Sequence, residues 1–357
     1  MMYNILAINP GSTSTKIALY EDEKLIQEKN ITHSNEEIEK YEKITDQYEM
    51  RYSEIMNFLN EINYDVKNLS AVVGRGGLLP PVKSGAYKVN DVMVDVLKNR
   101  PVLEHASNLA AIIAYEMAEE LGIPSYIYDS VAVDELDDIA RYSGMVDIKR
   151  KSLSHALNMR ATAISTAEEI GKPYTESNII VAHLGGGMSV SIHKNGKMVD
   201  IVSDDEGPFS PERAGRVPCK DLISMCYKYD QKTMKAKLRG KGGLISYLGT
   251  NDAREVEKMI GEGNKEAAII YEAMAYQIAK GIGELATVVK GKVDAIAITG
   301  GIAYSKMITD WITERVEFIA PVHIHPGENE LESLVLGTIR VLDGKEEARE
   351  YKEEVRV

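Results

Sequence analysis

NILAINPGSTSTKIALY, residues 4 to 20, is the stretch of sequence from which we infer the fold of this chain. Its first apolar run ends at the Asn-Pro-Gly sequence of residues 9 to 11, four small hydroxyl residues follow, and a second apolar run begins at Ile17. This pattern predicts a β-hairpin and not the strand-loop-helix of a Walker P-loop. The turn offers backbone N–H groups, hydroxyls and the Lys16 ammonium, and Gly11 permits close approach of the backbone. We therefore expect a phosphorylated ligand at this turn.

A second stretch, IVAHLGGGMSVSI at residues 180 to 192, repeats this layout. The two stretches superimpose without a gap, and the identical pairs are then Ile5 with Ile180, Ala7 with Ala182, Gly11 with Gly186, Ser14 with Ser189, and Ile17 with Ile192. Each hairpin is followed by a polar turn and a third apolar run. Because the same order of strands and turns occurs twice, we expect two related halves facing each other across a cleft.

The chain has 357 residues, which is too long for one ordinary hydrophobic core and suits two domains. Asp and Glu number 55 against 42 for Lys and Arg, so the formal net charge is −13. A chain this acidic is a poor candidate for sequence-independent binding to nucleic acid or to anionic membranes. We expect neither kind of partner.

Cysteine usage and the apolar runs predict the compartment. Cys219 and Cys226 form neither a CxxC motif nor a disulfide framework. No apolar run approaches the length of a membrane span, and the first residues show no signal-peptide pattern. We therefore expect a soluble protein of the reducing cytoplasm.

Periodicity along the rest of the chain predicts alternating helices and strands. Ser34 opens a capping box, and apolar residues at helical spacing from 38 to 62 predict a helix. A helix from near Ser152 to Gly171 carries His155 in its first turn, and the stretch up to about residue 250 is expected to be irregular. Other helices are expected at 106–121, 264–289, from about 304 and at 330–342, with strands at 24–30, 69–73, 126–128, within 178–203, and at 295–299 and 322–325. The charged tail, 346–357, is expected to be a frayed or exposed helix.

The duplicated order of elements resembles the actin, hexokinase and chaperone ATPase superfamily. Within it, nine motifs that span essentially the whole chain resemble the acetate kinase family, and its butyrate kinases in particular. These motifs are NPGSTSTK, GRGG, PVLEHASN, YDSV, SHALNMRA, AHLGGG, GPFSPERAGR, TGGIAYS and HPGENELE. The resemblance implies an α/β fold of two duplicated ribonuclease-H-like domains with a central nucleotide cleft. It implies an N-terminal acyl-substrate lobe at 1–151, to which a C-terminal helix at 331–357 returns, and a nucleotide-binding lobe at 152–330.

The resemblance also implies a reaction. ATP and butanoate would give ADP and butanoyl phosphate by direct in-line phosphoryl transfer to the carboxylate, with ATP/ADP and Mg²⁺ at the site. The partners implied are a small carboxylic acid, a nucleotide and further copies of the chain in a homodimer or higher homo-oligomer.

Roles for individual residues follow from the same resemblance. The first hairpin turn is implied to contact the nucleotide phosphates through Asn9, Ser12, Ser14 and Lys16. A second phosphate loop is implied at His183, Gly185, Gly186 and Gly187, and the adenosine side at Asp252, Arg254, Gly300, Gly301 and Tyr304. The residues implied in catalysis and acceptor binding are Arg75 and His105 at the carboxylate, Asp129 at the metal or acceptor, and His155 and Arg213 at the transferring phosphoryl group. The implied metal ligands are Asn9 and either Glu332 or Glu328.

The chemistry of the implied reaction agrees with these residue types. A carboxylate acceptor is already ionised at neutral pH, so it needs no general base, but its approach to a phosphate needs cations. Arg75 and Arg213 supply planar guanidinium groups that grip carboxylate or phosphoryl oxygens. We therefore expect Asp129 to orient magnesium or its waters. His155 lies at a helix start, which disfavours its protonation, so we expect a neutral hydrogen-bond donor.

Several assignments stay open on the sequence. Arg216, three residues after Arg213, could take its place. Glu332 aligns without a gap to the helix that follows and Glu328 keeps the preceding proline in register, and we favour Glu332. His105 has a substrate-side or a structural role, and His183 either contacts phosphate or is packed in the core.

Two departures from acetate kinases bear on the acceptor. The second loop lacks the asparagine that those enzymes carry before its last glycine, so a backbone contact must replace it at Gly186. The stretch after Arg75 is apolar, residues 76–81, which favours a longer acyl tail. One buried methylene is worth about 0.8 kcal/mol, so such a pocket separates acetate from butanoate better than butanoate from isobutanoate. The alternatives are an isobutyrate or other acyl kinase and, less favoured, a sugar or glycerol kinase or a non-enzymatic ATPase module.

Overall fold

The computed structural model of the chain describes residues 2–152 and 154–353. Its contacts divide these residues into two compact units. Unit 1 comprises the described residues up to Asp134 together with those from Asn329 onward, and unit 2 comprises those from Glu135 to Glu328. Within the described ranges, no helix has both the length and the apolar character needed to cross a bilayer.

The strands lie in two sheets, one in each unit. In chain order they are β1 Asn4–Pro10, β2 Ser14–Glu21, β3 Lys24–Thr32, β4 Ala71–Gly74, β5 Ala86–Lys88, β6 Ser125–Tyr128, β7 Asn178–Leu184, β8 Met188–Lys194, β9 Lys197–Val202, β10 Ala295–Gly300, β11 Val322–Pro326 and β12 Arg349–Glu350.

The α-helices surround these sheets. In chain order they are α1 Asn35–Ile38, α2 Tyr48–Glu61, α3 Asp91–Asn99, α4 Asn108–Leu121, α5 Ala156–Glu169, α6 Cys219–Cys226, α7 Gln231–Leu238, α8 Gly243–Leu248, α9 Ala253–Gly261, α10 Lys265–Ala286, α11 Lys306–Val316 and α12 Glu330–Leu342.

The two sheets share a five-stranded arrangement, to which the sheet of unit 1 adds β5 and β12. In unit 1 the order is β12-β5-β6-β4-β1-β2-β3, and in unit 2 it is β11-β10-β7-β8-β9. In each, three consecutive strands form an antiparallel meander, and the first of them, β1 or β7, pairs in parallel with a later strand, β4 or β10. The predicted duplication of an α/β unit is therefore confirmed.

The gap-free superposition of the two hairpins is wrong. Pro10 pairs with Thr15 across the first turn, whereas Leu184 pairs with Met188 across the second. The second turn is therefore one residue shorter than the first. A shift of one residue reverses which face of a strand each side chain occupies, so Asn9 corresponds in position to His183.

The central strands are apolar along their length because helices cover both of their faces. In unit 2, Ile180, Ala182 and Leu184 of β7 face a core shared with α10 and α11. Ile179 and Val181 face the other side, where they pack with α5. Alternate residues of one strand thus serve two cores.

The sheet of unit 1 is covered by α4, from the first part of the chain, and by α12, near its C-terminus. Gly74 of β4 packs against Ala110 of α4, and Tyr128 of β6 packs against Gly337 of α12. Gly74 pairs with Ile127, the residue before Tyr128, so α4 and α12 lie on opposite faces of the sheet. The helix nearest the C-terminus therefore completes the core of the first unit.

Three segments differ from the sequence-based expectation. The resemblance implied one C-terminal helix at 331–357, but α12 spans Glu330–Leu342, the bounds that periodicity predicted. The tail beyond it, expected to be a frayed or exposed helix, contains β12, which pairs with β5. Burial of Tyr351 and the hydrogen bond from Asn90 Nδ2 to its carbonyl oxygen, 3.0 Å, hold the tail extended, while residues 354–357 lie outside the described residues. The stretch expected to be irregular contains α6, α7 and α8.

The third difference concerns the first boundary between the domains. Residues 135–151, expected in the N-terminal lobe, belong to unit 2. Arg150 explains this because its guanidinium pairs with Asp200 at 2.9 Å and with Glu206 at 2.8 Å. These ion pairs tie the segment to β9 of unit 2 and to the loop that follows it.

Candidate active site

The turn between β1 and β2 is closed by a hydrogen bond from Gly11 N to Ser14 O, 2.7 Å. Ser12 and Lys16 are exposed and Ser14 is half-buried, so these side chains are available to a ligand. The Thr15 hydroxyl is buried and faces inward. The turn therefore presents three of the four hydroxyl residues anticipated, together with one ammonium.

Asn9, at the end of β1, lies in a buried polar cluster with Glu330 and Arg75. Asn9 Nδ2 donates to Glu330 Oε2 at 2.5 Å, and Arg75 Nη2 lies 2.8 Å from Glu330 Oε1. Glu330 is 8% exposed and stands in the first turn of α12. One carboxylate thus joins Asn9, beside the turn expected to bind phosphate, to the arginine expected at the acceptor.

Sequence reasoning missed Glu330 and favoured its neighbours. Glu328 belongs to unit 2, where its Oε1 lies 3.0 Å from His183 Nε2. Burial and, secondly, the charge of Glu332 raise the pKa of Tyr20 in β2, so Glu332 lies near that strand. The phase of α12 could have identified Glu330, because it precedes the buried Leu334 by one helical turn.

The loop that carries Arg75 is held by its neighbours. A Cβ atom at Gly77 would lie 2.4 Å from Asn108 Oδ1, so only glycine permits this approach. Asn108 Oδ1 accepts from Leu78 N at 2.8 Å, and Ser130 Oγ donates to Gly77 O at 2.7 Å. The glycines on either side of Arg75 therefore serve close packing, and the guanidinium projects from a fixed backbone.

His105 and Asp129 complete the predicted residues of unit 1. His105 Nδ1 accepts from Ser107 N at 3.2 Å, which leaves Nε2 to carry the proton of a neutral ring. Burial, then the charges of Arg75 and Arg51, lower the pKa of His105 and favour this neutral form. Asp129 is 2% exposed with φ 43°, and its Oδ1 accepts from Gly85 N at 2.7 Å. Its carboxylate is thereby anchored to the backbone.

In unit 2, Arg213 lies against the glycine turn between β7 and β8. A Cβ atom at Gly187 would lie 2.3 Å from Arg213 Nη1, and Ser210 Oγ donates to Gly186 O at 2.6 Å. Burial, and secondly the charge of Arg239, lower the pKa of Arg213 to about 10.

Asp204 is the ion-pair partner of Arg213, and it also accepts from Arg239 Nη2 at 3.0 Å. Arg216, the rival of Arg213, instead donates to Glu206 O and pairs with Glu284, both at 2.9 Å. Of the two arginines, Arg213 is therefore the one at the glycine turn.

His155 immediately precedes α5, one position before the helical turn in which we expected it. Its ring stacks on the buried His183 ring with centroids 3.9 Å apart, and its Nδ1 lies 3.4 Å from Ser189 Oγ. Asn158 Oδ1 lies 2.7 Å from His183 Nδ1 and orients that ring. His183 is 1% exposed, so it supports His155 by packing.

Three of the residues expected on the adenosine side, Gly300, Gly301 and Tyr304, lie at the carboxyl end of β10 and directly after it. Gly300 and Gly327 exchange backbone hydrogen bonds of 3.1 and 3.0 Å, and Gly301 has open space at its Cβ position. Tyr304 is 74% exposed beside Gly327. An exposed aromatic ring at the carboxyl ends of parallel strands is available for stacking on a base.

Two further residues of that set lie at the start of α9. Asp252 caps the helix by accepting from Arg254 N at 2.9 Å, and the two side chains also form an ion pair. Arg254 is largely exposed, with its guanidinium held by this pair. The side of the Arg254 guanidinium that faces away from Asp252 is accessible to solvent.

The described residues contain no group of three or more His, Cys, Asp and Glu side chains arranged to hold a metal ion. Mg²⁺ does not require such a cage, because it is usually bound by one or two carboxylates together with substrate phosphates. Glu330 is a buried carboxylate whose oxygens accept from Asn9 Nδ2 and pair with Arg75, and it lies beside the turn between β1 and β2. Glu330, together with the side-chain oxygen of Asn9, is the hard oxygen donor set nearest that turn in the part of the chain that the structure describes.

Comparison with known proteins identifies the family. The sequence model of the Acetokinase family matches residues 148–335. The chain is 53% identical over 355 residues to butyrate kinase 1 of Clostridium acetobutylicum, covering 98% of this chain and all of that one. It is 52% identical over 355 residues to a probable butyrate kinase of Clostridium botulinum, with the same coverage.

Solved structures agree on the fold. Porphyromonas gingivalis acetate kinase superimposes with a TM-score of 0.78 at 18% identity, over 95% of this chain and 100% of that one. A propionate kinase from Francisella tularensis gives a TM-score of 0.71 at 18% identity, over 94% and 99%. On the full-length identity to its relatives, the chain belongs to the acetokinase family.

Proposed function

We propose that the chain transfers the γ-phosphoryl group of ATP to butanoate and forms ADP and butanoyl phosphate. The observation that carries this proposal is the 53% identity, over 98% of the chain, to a butyrate kinase. At this identity the chain is a short-chain fatty acid kinase, a phosphotransferase whose acceptor is a carboxyl group. The choice of butanoate among short acids is the part that requires a test.

Arg75 is the residue we assign to the acceptor carboxylate. The ion pair that the structure describes occupies one N–H of Nη2. The other N–H of Nη2, together with Nη1 or with Nε, remains as a fork for the two oxygens of a carboxylate. The loop behind Arg75 is apolar and held by Asn108, which suits an acyl chain beside a fixed guanidinium. The lowered pKa of His105 keeps its ring neutral, and its Nε2–H is then a hydrogen-bond donor for the acceptor carboxylate.

The transfer forms a bond between a carboxylate oxygen and the γ-phosphorus while the bond from that phosphorus to the β–γ bridging oxygen breaks. The carboxylate is already ionised, so no proton moves in this step. Charge on the transferring group calls for donors held in place beforehand. His155, fixed by stacking on His183, and Arg213, fixed by Asp204, are the donors we assign to it.

The nucleotide phosphates are assigned to the two turns. The side chains of Ser12, Ser14 and Lys16 are assigned to the first turn. In the second, the backbone N–H groups of Gly186 and Gly187 are assigned, because Gly185 N already donates to Gly187 O at 3.2 Å. A bound Mg²⁺ would neutralise phosphate charge, and Glu330 with Asn9 would hold it. The exposed Tyr304 is assigned to the base.

The test is an initial-rate series with ATP over straight and branched acids from two to six carbons, read as hydroxamate formation. We expect the highest kcat/KM with butanoate or isobutanoate and little activity with acetate. Glucose and glycerol are included as acceptors to test the alternative of a sugar or glycerol kinase. Phosphorylation of either at a rate comparable to that of butanoate would refute the proposal. Turnover of ATP without any acceptor would also refute it.

Arg75→Lys provides the residue-level test. Lysine retains the charge but loses the planar fork, so we expect the KM for butanoate to rise by about tenfold or more, with the KM for ATP unchanged within about twofold. Arg100→Lys, the same exchange at an exposed arginine of unit 1, is the matched control. An unchanged KM for butanoate in Arg75→Lys would remove Arg75 from the acceptor site.

We also propose that the chain assembles into a homodimer or larger homo-oligomer. Exposed apolar side chains on α6, directly after it and on α10 support this, namely Ile223, Tyr227, Ile269 and Tyr276. Light scattering coupled to gel filtration measures the mass directly. A mass of one chain at micromolar concentration would contradict the proposal.

A further inference from the structure

Arg51 of α2 lies beneath the turn between β1 and β2, with 0% of its surface exposed. Its Nη2 donates to Gly11 O at 3.0 Å, and its Nη1 donates to Ser14 O at 3.0 Å and to Thr15 Oγ1 at 2.8 Å. One guanidinium therefore donates hydrogen bonds to three oxygen atoms at the same turn.

The remaining donors of Arg51 meet a neutral group. Nε and Nη2 donate to Gln47 Oε1 at 3.1 and 2.9 Å. The hydrogen-bond acceptors that the structure describes for this guanidinium are thus carbonyl, hydroxyl and amide oxygens. Buried charges in proteins are usually paired with an opposite charge, so this arrangement is uncommon.

The nearest carboxylates do not neutralise Arg51 by contact. Glu54 and Glu37 act on it only through their fields, which raise its pKa less than burial lowers it. Both carboxylates lie beside His33 instead. Glu54 Oε1 is 3.5 Å from His33 Nδ1, and Glu37 Oε2 is 3.9 Å from the same atom. Arginine retains its proton in proteins, so a positive charge remains directly behind the turn.

The location of this charge has two consequences for the front of the turn. Because Gly11 O and Ser14 O are bonded backwards to Arg51, they do not face a ligand, and the front of the turn offers donors and the Lys16 ammonium. The field of Arg51 also reaches the site, since it lowers the pKa of His105 after burial and Arg75. Both consequences favour an anion at the turn.

We propose that Arg51 is a positioning residue that holds the turn between β1 and β2 in its donor-outward form and, through its unneutralised charge, strengthens anion binding there. That the anion is the phosphate chain of ATP rests on the proposed function. Nothing in this role requires Arg51 to touch the ligand.

Gln47→Glu separates charge from geometry. A carboxylate at position 47 retains both acceptor contacts of Arg51 and neutralises it, with no change in the turn itself. We expect the Kd for ATP, measured by calorimetry on the full chain, to rise by about tenfold. We expect the melting temperature to hold or rise, because a buried charge gains a partner.

Gln27→Glu is the matched control, since it adds the same charge at an exposed position on β3 of the same unit. We expect its Kd for ATP to stay within about twofold of the parent chain, in line with a screened surface charge. An unchanged Kd in Gln47→Glu would overturn the proposal. A fall in the melting temperature of Gln47→Glu would overturn it as well, because Arg51 would then not be an uncompensated cation.

Arg51→Lys tests the geometric part. Lysine retains the charge but cannot bind three turn oxygens at once, so we expect a rise in the KM for ATP of about fivefold or more and a KM for butanoate within about twofold of the parent value. A rise in both KM values together would indicate general loss of structure and contradict a specific role. If the parent chain binds ATP in an Arg51-dependent way but does not phosphorylate butanoate, the proposed function fails and the role of Arg51 stands.

Discussion

Glu330 is the carboxylate that links the turn residue Asn9 to Arg75. We predict that Glu330→Gln lowers kcat/KM by about 100-fold or more, because an amide neither holds the Arg75 guanidinium as an ion pair nor binds a hard cation well. Steady-state kinetics over a magnesium series measures the effect, and we expect the loss to persist at saturating magnesium.

Glu332→Gln and Glu328→Gln are the comparison variants for this prediction. The alignment favoured these two residues as metal ligands, and the geometry favours Glu330. We expect each comparison variant to lose less than about tenfold. A ranking in which Glu332→Gln is the most damaged would restore the prediction made from sequence.

His193 of β8 makes the stability of the chain dependent on pH. Burial, and secondly the charge of Arg160, lower its pKa to about 3. An unfolded imidazole has a pKa of about 6.5, so between about pH 3 and 6.5 the unfolded state binds a proton that the folded state does not. The contribution of His193 to the free energy of unfolding is therefore complete above about pH 6.5 and falls as the pH is lowered, by at most about 1.4 kcal/mol per unit.

Urea unfolding of the parent chain and of His193→Asn from pH 5 to 8 measures this contribution. We expect the variant to lose part of the pH dependence below about 6.5. Equal slopes for the parent chain and His193→Asn would contradict the assignment.

At the scale of elements, the packing of α12 on the sheet of unit 1 depends on a glycine. A Cβ atom at Gly337 would lie 2.6 Å from the ring of Tyr128 in β6. We predict that Gly337→Ala lowers the free energy of unfolding by about 1–3 kcal/mol, because the added methyl group overpacks this contact. Gly283→Ala is the control, since a Cβ atom there meets nothing within 4 Å.

The control in α10 should shift stability in the opposite direction. Alanine is about 0.8–1.0 kcal/mol more favourable than glycine inside a helix, so Gly283→Ala should raise the free energy of unfolding. Denaturant unfolding of both variants gives the two signs. Destabilisation by both exchanges would show that helix propensity and packing against Tyr128 do not explain the difference.

At the scale of the whole molecule, the two ends of the chain build one unit. α12 packs on β1, β2, β4 and β6, and its Leu331, Leu334 and Val335 are buried. We predict that residues 1–134 alone do not unfold cooperatively, because the faces of these strands lose their cover. Residues 1–134 joined to 329–357 by a Gly/Ser linker should regain a cooperative thermal transition by circular dichroism. Equal transitions in both fragments would contradict the prediction.

Local pattern predicted most elements of this fold. The bounds of the last helix, 330–342, match α12, and the two hairpins are present, because apolar periodicity and turn residues act within a few neighbours. The pairing of β12 with β5 was not predicted, since two short segments more than 250 residues apart leave no periodic signal. The one-residue difference between the two turns also escaped the sequence, because identical residues favoured a gap-free match.

By itself, the sequence determined that two glycine-containing hairpins recur in related α/β units and that the chain is a carboxylate kinase of the acetokinase family. Nine motifs in order carry that information without any contact between them. Only the tertiary structure decided which acid meets Asn9 and Arg75, and that Arg51 lies behind the first turn. The physical reason is distance along the chain. Asn9 and Glu330 are 321 residues apart, and only the packing of α12 on β1 determines which side of that helix faces the site.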